Sequence, residues 1–256
     1  MLLVIDVGNT QTVLGVYDGS MLLHMWRLST EKKNTADELR LKAEPLIERA
    51  GISLGAVSGS ALASVVPTLT QSWCVALKAM TGVDPLICSA AAAGDSFKAD
   101  YPNPSEIGAD RIADAVGARV LYGAPVVIVD FGTATNIEVV SREGFFVGGV
   151  IAPGVETSAS ALFSHATKLA ATELADPDTA IGKSSTQAIQ AGIMYGEIDR
   201  VDGLVRRIFA QLGYEAPVVA TGGLAGLMAP LSSTITHTNP QLTLEGLRII
   251  YEAAGK

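Results

Sequence analysis

Asp6, Asp130 and Asp110 are the carboxylates whose surroundings point to chemistry. Two of them stand in near-copies of one stretch: "VIDVGNTQT" (4–12) and "IVDFGTATN" (128–136) align without a gap. Each runs an apolar segment into an aspartate and follows it with glycine and small polar residues. An unpaired buried charge is costly, so such an aspartate calls for a cation beside it. Glycine lets backbone approach a phosphate with no Cβ in the way. Thr10, Thr12, Thr133 and Thr135 offer hydroxyls, and tight turns offer N–H donors. A carboxylate meets phosphate only through a cation such as magnesium, which takes one or two carboxylates plus phosphate oxygens. In a cleft between two halves, two such turns would grip the two ends of a triphosphate. Singly, each aspartate is as well explained as a turn cap; the pair favours phosphate.

The third carboxylate lies in "YPNPSEIGADRIADAVGARVLY" (101–122), a proline-rich loop that enters a helix near Gly108. Asp110 and Asp114 fall one helical turn apart on one face, with Arg111 beside them. A kinase acting on an alcohol needs a carboxylate to accept the hydroxyl proton; the rest is positioning and charge neutralisation. Asp110, in the first turn, is the better placed of the two. Arg111 would clamp a carboxylate or amide oxygen of the substrate. From this stretch alone a plainer reading leads: an acid at a helix N-terminus complements the dipole, and Arg111 pairs with Asp114.

Other motifs carry less. Thr221-Gly222-Gly223 after a strand suits a base or ribose lying against bare backbone. "AIGKSS" (180–185) is no P-loop, because Pro177 stands where that pattern needs glycine. Ser184 and Ser185 open a helix and read as caps, and Lys183 as solvated. Cys74 and Cys88 lack metal-ligand spacing and read as small core residues of a reducing compartment. His24, His165 and His237 are scattered, and Trp26 and Trp73 read as core.

The elements that must position these residues follow from the pattern. Strands are expected at 2–7, 12–17 and 21–28, with Asp18-Gly19 as a hairpin turn. A helix over 35–50 stops at Gly51. A strand over 58–66 leads to a helix opened by Pro67, and a short strand covers 85–88. The early meander repeats from residue 125, with strands over 135–140 and 145–151 around Arg142-Glu143-Gly144. Such a repeat reads as duplication of a whole domain. Ile189, Ile193, Gly196, Leu204, Val205, Ile208 and Leu212 mark the buried stripe of one long helix. A strand at 217–220 and a helix over 242–253 close the chain. The fold class expected is α/β with two similar halves, 1–122 and 123–256.

Bulk composition narrows the functions. The 256 residues are 48% hydrophobic and 17% charged, which is a well-buried globular chain. A net charge of −8 argues against nucleic-acid binding, which needs a basic footprint. No apolar run reaches membrane-spanning length and no signal peptide opens the chain, so a cytoplasmic protein is expected.

The ordered set "DVGNT" (6–10), "GADR" (108–111), "DFGTAT" (130–135), "GGVIAPG" (148–154), "IGKSS" (181–185), "TGG" (221–223) and "LTLEGLRIIYE" (242–252) resembles type III pantothenate kinases from end to end. The resemblance implies a duplicated, ribonuclease H-like fold of the actin/Hsp70/sugar-kinase kind, with mixed sheets. It implies a homodimer that uses ATP and magnesium to phosphorylate pantothenate, the first step to coenzyme A. It places ATP phosphates against Asp6, Val7, Gly8, Asn9, Thr10, Gln11, Thr12 and Val13, with magnesium near Asp6, and adds Thr133. Asp110 becomes the proton acceptor. Pantothenate lies against Tyr101 and Gly108, Ala109, Asp110 and Arg111, with Ser185 reaching it across the dimer interface. Asp130 takes a monovalent cation, potassium or ammonium. The family usually has threonine at position 185 and often at position 136, where this chain has Ser185 and Asn136. A second implication of the same resemblance is a non-catalytic, nucleotide-binding transcriptional accessory protein on this fold.

Overall fold

The computed structural model describes residues 1–166 and 169–255, which fall into two compact units, Met1–Leu121 with Leu242–Lys256, and Tyr122–Gln241.

The first unit begins with the meander β1 (Leu2–Val7), β2 (Gln11–Asp18) and β3 (Met21–Ser29). Val, Ile, Leu and Tyr suit a pleated, buried surface. Thr35 then caps α1 (Ala36–Arg49) through a reciprocal capping box with Glu38. β4 (Gly59–Ser64) pairs parallel with β1. Pro67 opens α2 (Pro67–Thr81) at the one helical position where its missing N–H costs nothing. β5 (Leu86–Ile87), the one-turn α3 (Ala90–Ala93), the short β6 (Lys98–Ala99) and α4 (Ala109–Tyr122) follow. The sheet order is β3-β2-β1-β4-β5. Leu3, Ile5, Val7, Leu14, Val16 and Leu62 fill one face, against Leu39 and Ile47 of α1 and Leu69, Trp73 and Leu77 of α2. Trp26 only borders this cluster, while Trp73 is sealed inside it.

The second unit repeats the plan. β7 (Val126–Phe131), β8 (Ala134–Val140) and β9 (Phe145–Pro153) form an antiparallel meander. α5 (Val155–His165), α6 (Ser185–Gln190) and α7 (Gly196–Leu212) come next, then β10 (Val218–Thr221), parallel to β7, α8 (Ala225–Met228) and β11 (His237–Thr238). The strands of this unit run β11-β10-β7-β8-β9, the order of the first sheet; the second sheet as a whole has six strands, with β6 beyond β9. Both meanders also carry an irregularity late in the second strand, at Val16/Tyr17 and at Val139/Val140. Shared connectivity down to a bulge is the structural trace of duplication.

Two expectations change. Residues 123–256 were grouped as one lobe, but the last helix, α9 (Leu242–Ala253), packs within the first unit on β1, β2 and β4. The small residues Gly15, Gly59 and Ala61 on that sheet face leave room for it. A Cβ on Gly15 would come 2.9 Å from Leu244 Cδ1. The long helix is also not uniform: Ala191–Tyr195 between α6 and α7 forms a π-helical turn. A wide turn shifts the phase of every later residue. The buried stripe therefore runs through Ala191, Met194, Ile198, Val201 and Val205, while Gly196 is exposed and Glu197 and Asp202 turn inward.

Candidate active site

Asp6 is the penultimate residue of β1, in register with Val13 of β2 and Ala63 of β4. Gly8 closes the turn by donating its N–H to Gln11 O at 3.0 Å. A Cβ there would sit 2.9 Å from that oxygen, so glycine is needed for the tight return. Asn9, Thr10 and Gln11 stand exposed on the turn. Val7 and Val13 are core residues that lend only backbone. Thr12 is 2% exposed and its hydroxyl is already bonded to Thr30 Oγ1 at 2.8 Å. Of the two threonines expected at this turn, Thr10 is the exposed one.

The Gly-Ala-Asp-Arg motif opens α4. Asp110 is partly buried, and its Oδ1 accepts the Arg111 N–H at 2.8 Å. A side chain on Gly108 would crowd that oxygen at 2.5 Å. Burial pushes the Asp110 carboxyl above its ordinary range, against the opposing pull of the Arg111 N–H and guanidinium. Asp114, one turn on, is 1% exposed and accepts the Thr243 hydroxyl at 2.7 Å. Asp114 thus ties α4 to α9, and Asp110 is left as the carboxylate near the surface. Cys88 marks how closely the acids gather: burial first, then Asp110, Asp6 and Asp114, push its thiol up to about 12. It donates to Ala109 O at 3.4 Å and is an inert core thiol, as expected.

A cavity of about 590 Å³ opens beside the motif, walled by Ser64, Cys88, Ser89, Pro104, Ile107 and Gly108 among others. The loop on its rim is stiffened by Asn103, whose side chain bonds Ser105 and Glu106. Tyr101 is partly buried just upstream and outside the cavity wall.

The second turn is built on the same plan but with more oxygen. Asp130 of β7 is in register with Asn136 of β8 and Thr221 of β10. Residues directly opposite on neighbouring strands share a sheet face, so three oxygen-bearing side chains form one row. Asn136 Oδ1 and Thr221 Oγ1 are buried without a hydrogen-bond partner among the described residues. Gly222, at φ 91°, closes the row; a Cβ there would stand 2.6 Å from Phe131 O. Orphaned buried oxygens flanking a carboxylate fit a hard cation. Among the described residues no group of three or more His, Cys, Asp or Glu forms a metal cluster. Thr133 is exposed at the tip of the turn, whereas Thr135 points inward, donating to Glu197 Oε1 at 2.6 Å.

Ser185 is exposed at the start of α6; the helix is capped by Ser184, which accepts the Gln187 N–H at 3.2 Å. The sequence reading missed Glu197, Asp202 and Thr243 as polar anchors. The i,i+3 spacing of Glu197 and Arg200 was the available signal for the first.

The model of one family, described as type III pantothenate kinase, matches residues 2–207. The chain belongs to the type III pantothenate kinase family. A type III pantothenate kinase of Moorella thermoacetica is 46% identical over 256 residues, covering 98% of this chain and 99% of that one. One from Desulfosudis oleivorans is 44% identical, covering 99% and 100%. Among solved structures, a ROK hexokinase from Thermus thermophilus matches with TM-score 0.50 and 14% identity over 100% of this chain and 99% of that one. The family is one of kinases, and the fold is the α/β architecture shared with sugar kinases, as the type III pantothenate kinase resemblance implied.

Proposed function

We propose that this chain transfers the γ-phosphoryl group of ATP to the primary hydroxyl of pantothenate, giving phosphopantothenate at the entry to coenzyme A biosynthesis. The observation that carries this reading is Asp110. It is the less buried of the two acids of α4, the aspartate of the family's Gly-Ala-Asp-Arg motif, beside a cavity, and its basicity is raised by partial burial. It accepts the hydroxyl proton as the oxygen attacks phosphorus in line. Arg111 orients the carboxylate or amide end of pantothenate, and the backbone of Gly108 and Ala109 with Tyr101 shapes its seat. The exposed Asn9–Gln11 turn, with the backbone of 6–13, and Thr133 contact the ATP phosphates.

Magnesium brought with ATP would lie near Asp6 and offset phosphate charge. Asp130, Asn136 and Thr221 would hold a monovalent cation, potassium or ammonium. Ser185 would reach pantothenate as part of a homodimer in the cytoplasm. Among the described residues no helix is long and apolar enough to cross a membrane. The transcriptional-accessory alternative is not favoured, since relatives 44–46% identical over nearly the whole chain are named as kinases.

Mixing purified protein with ATP, magnesium and pantothenate, with and without potassium, tests the proposal by mass spectrometry. Phosphopantothenate formation is expected, faster with potassium. ATP turnover without that product would overturn the substrate, and absence of any turnover would overturn the reading as a kinase.

A further inference from the structure

Thr135 lies in the second turn, yet its hydroxyl faces the core of the second unit rather than the open tip. Phe131 is opposite it on β7, and Thr135 is 2% exposed. A hydroxyl there needs an acceptor, and the acceptor is a buried carboxylate: Glu197 Oε1 at 2.6 Å. Glu197 is 5% exposed, and its other oxygen is paired with Arg200 one turn along α7. The same Arg200 nitrogen donates to Pro153 O at 2.6 Å. Pro153 ends β9 and is followed by Gly154, whose N–H donates to Thr133 O at 3.1 Å. The Thr157 hydroxyl donates to that carbonyl as well, at 2.6 Å. A Cβ on Gly154 would come 2.7 Å from Thr133 O, so the contact is as close as backbone permits. The chain of bonds starts two residues after Thr133, passes through α7 and the end of β9, and returns to Thr133 itself.

Glu197 is sealed while the Arg200 side chain is 31% exposed, so the pair adds little stability by charge alone, but its bonds run to two separate elements. Here the fixed object is the tip at Gly132 and Thr133. We infer that Glu197 and Arg200 are positioning residues that hold the Gly132–Thr133 tip, through Thr135 and Pro153, in the form that receives ATP phosphate. The inference rests on the reading of Thr133 as an ATP contact. Ordering the tip during folding removes that cost from the binding step. The π turn over Ala191–Tyr195 lies directly before this segment, and Glu197 follows it as a buried residue.

The test uses Thr135→Val, Thr135→Ser, Glu197→Gln and Arg200→Met in the full chain. Val keeps the shape of Thr and removes the hydroxyl, so it is informative even where the charge variants fold poorly. Thr135→Val and Glu197→Gln are expected to raise KM for ATP about tenfold or more, with KM for pantothenate unchanged in the folded protein; each leaves a buried partner unmatched, so the thermal midpoint falls as well. Thr135→Ser is expected to restore KM for ATP. Calorimetric ATP affinity should follow the same order, and it is read without turnover. Wild-type ATP affinity and KM in Thr135→Val would overturn the inference, as would a parallel loss of both substrates that tracks the folded fraction. A wild-type protein that makes no phosphopantothenate would overturn the function instead, while the calorimetric order would still decide the role of Glu197.

Discussion

Asp110 and Asp114 have the same side chain, lie four residues apart on one helix, and are separated by what they touch. Asp114 is sealed and bonded to Thr243; Asp110 is partly buried, accepts the Arg111 N–H and has a pKa raised by burial. A general base of this kind contributes about 10²- to 10⁴-fold, so Asp110→Asn is expected to cut kcat by that order while ATP affinity by calorimetry stays at the wild-type level. The pH dependence has a definite sign. The base works only when deprotonated, and burial raises its pKa, so the acid limb of kcat/KM should lie above the range of a free carboxylate. A limb at or below that range would place the base elsewhere. Asp202 shows the opposite shift. Burial alone would raise its carboxyl from 3.8, but hydrogen bonds from Ser232, Ser233 and Thr234 win and hold it at about 2. Its folded pKa lies below the unfolded one, so its stabilisation is full above about pH 4 and fades as pH falls toward 2. Asp202→Asn is expected to cost about 1–2 kcal/mol at neutral pH by urea unfolding, after allowing for solvent screening, and progressively less as pH falls below 4.

At the scale of elements, the helix that carries Asp110 is held by a glycine contact. A Cβ on Gly246 of α9 would collide with Ala113 O of α4, and one on Gly117 of α4 would come 2.9 Å from Leu242 O. The two helices thus approach to backbone contact, with Asp114–Thr243 bonding across them. Overpacking a site of this kind costs about 1–3 kcal/mol or more, and here the obstacle is backbone that cannot rotate away. Gly246→Ala is therefore expected to lower the unfolding free energy by that amount, read as a lower denaturation midpoint, and to reduce kcat by displacing Asp110. An unchanged midpoint would mean that α9 shifts freely. The sequence showed both helices, their ends and the Gly-Ala-Asp-Arg start, because caps and apolar spacing are local. It did not show that Gly117 and Gly246 face each other, since a glycine in a helix carries no mark of its partner. Nor did it show the π turn, which the 3.6-residue period assumes away; that assumption misplaced Gly196 inside and left Glu197 unnoticed.

For the whole molecule, the two matching sheets divide the chain unevenly along its length. The first unit closes only when residues from the far C-terminus return to it. α9 buries Leu242, Leu244, Leu247 and Ile250 there and supplies Thr243 to Asp114. Deleting residues 242–256 is expected to unfold the first unit, read as loss of its part of the cooperative unfolding transition and as aggregation. Leu247→Ala, a milder change, is expected to cost about 2–5 kcal/mol. A truncated chain that melts like the full one would show that α9 is an appendage.

The residues alone determined the paired Asp-x-Gly turns, the duplicated meander, most of the strands and longer helices though not α5, and a family pattern running from end to end. These are local or repeated features: alternation, capping and glycine at turns are written in neighbouring residues. Only the tertiary structure decided which threonines face outward, since Thr12 and Thr135 are spent on Thr30 and Glu197. It also decided that Asn136 and Thr221 flank Asp130, and that the last helix belongs with the first strands. Those facts depend on which strands become neighbours and on which side a helix turns. Both are settled by packing between residues far apart in the chain, not by the spacing along it.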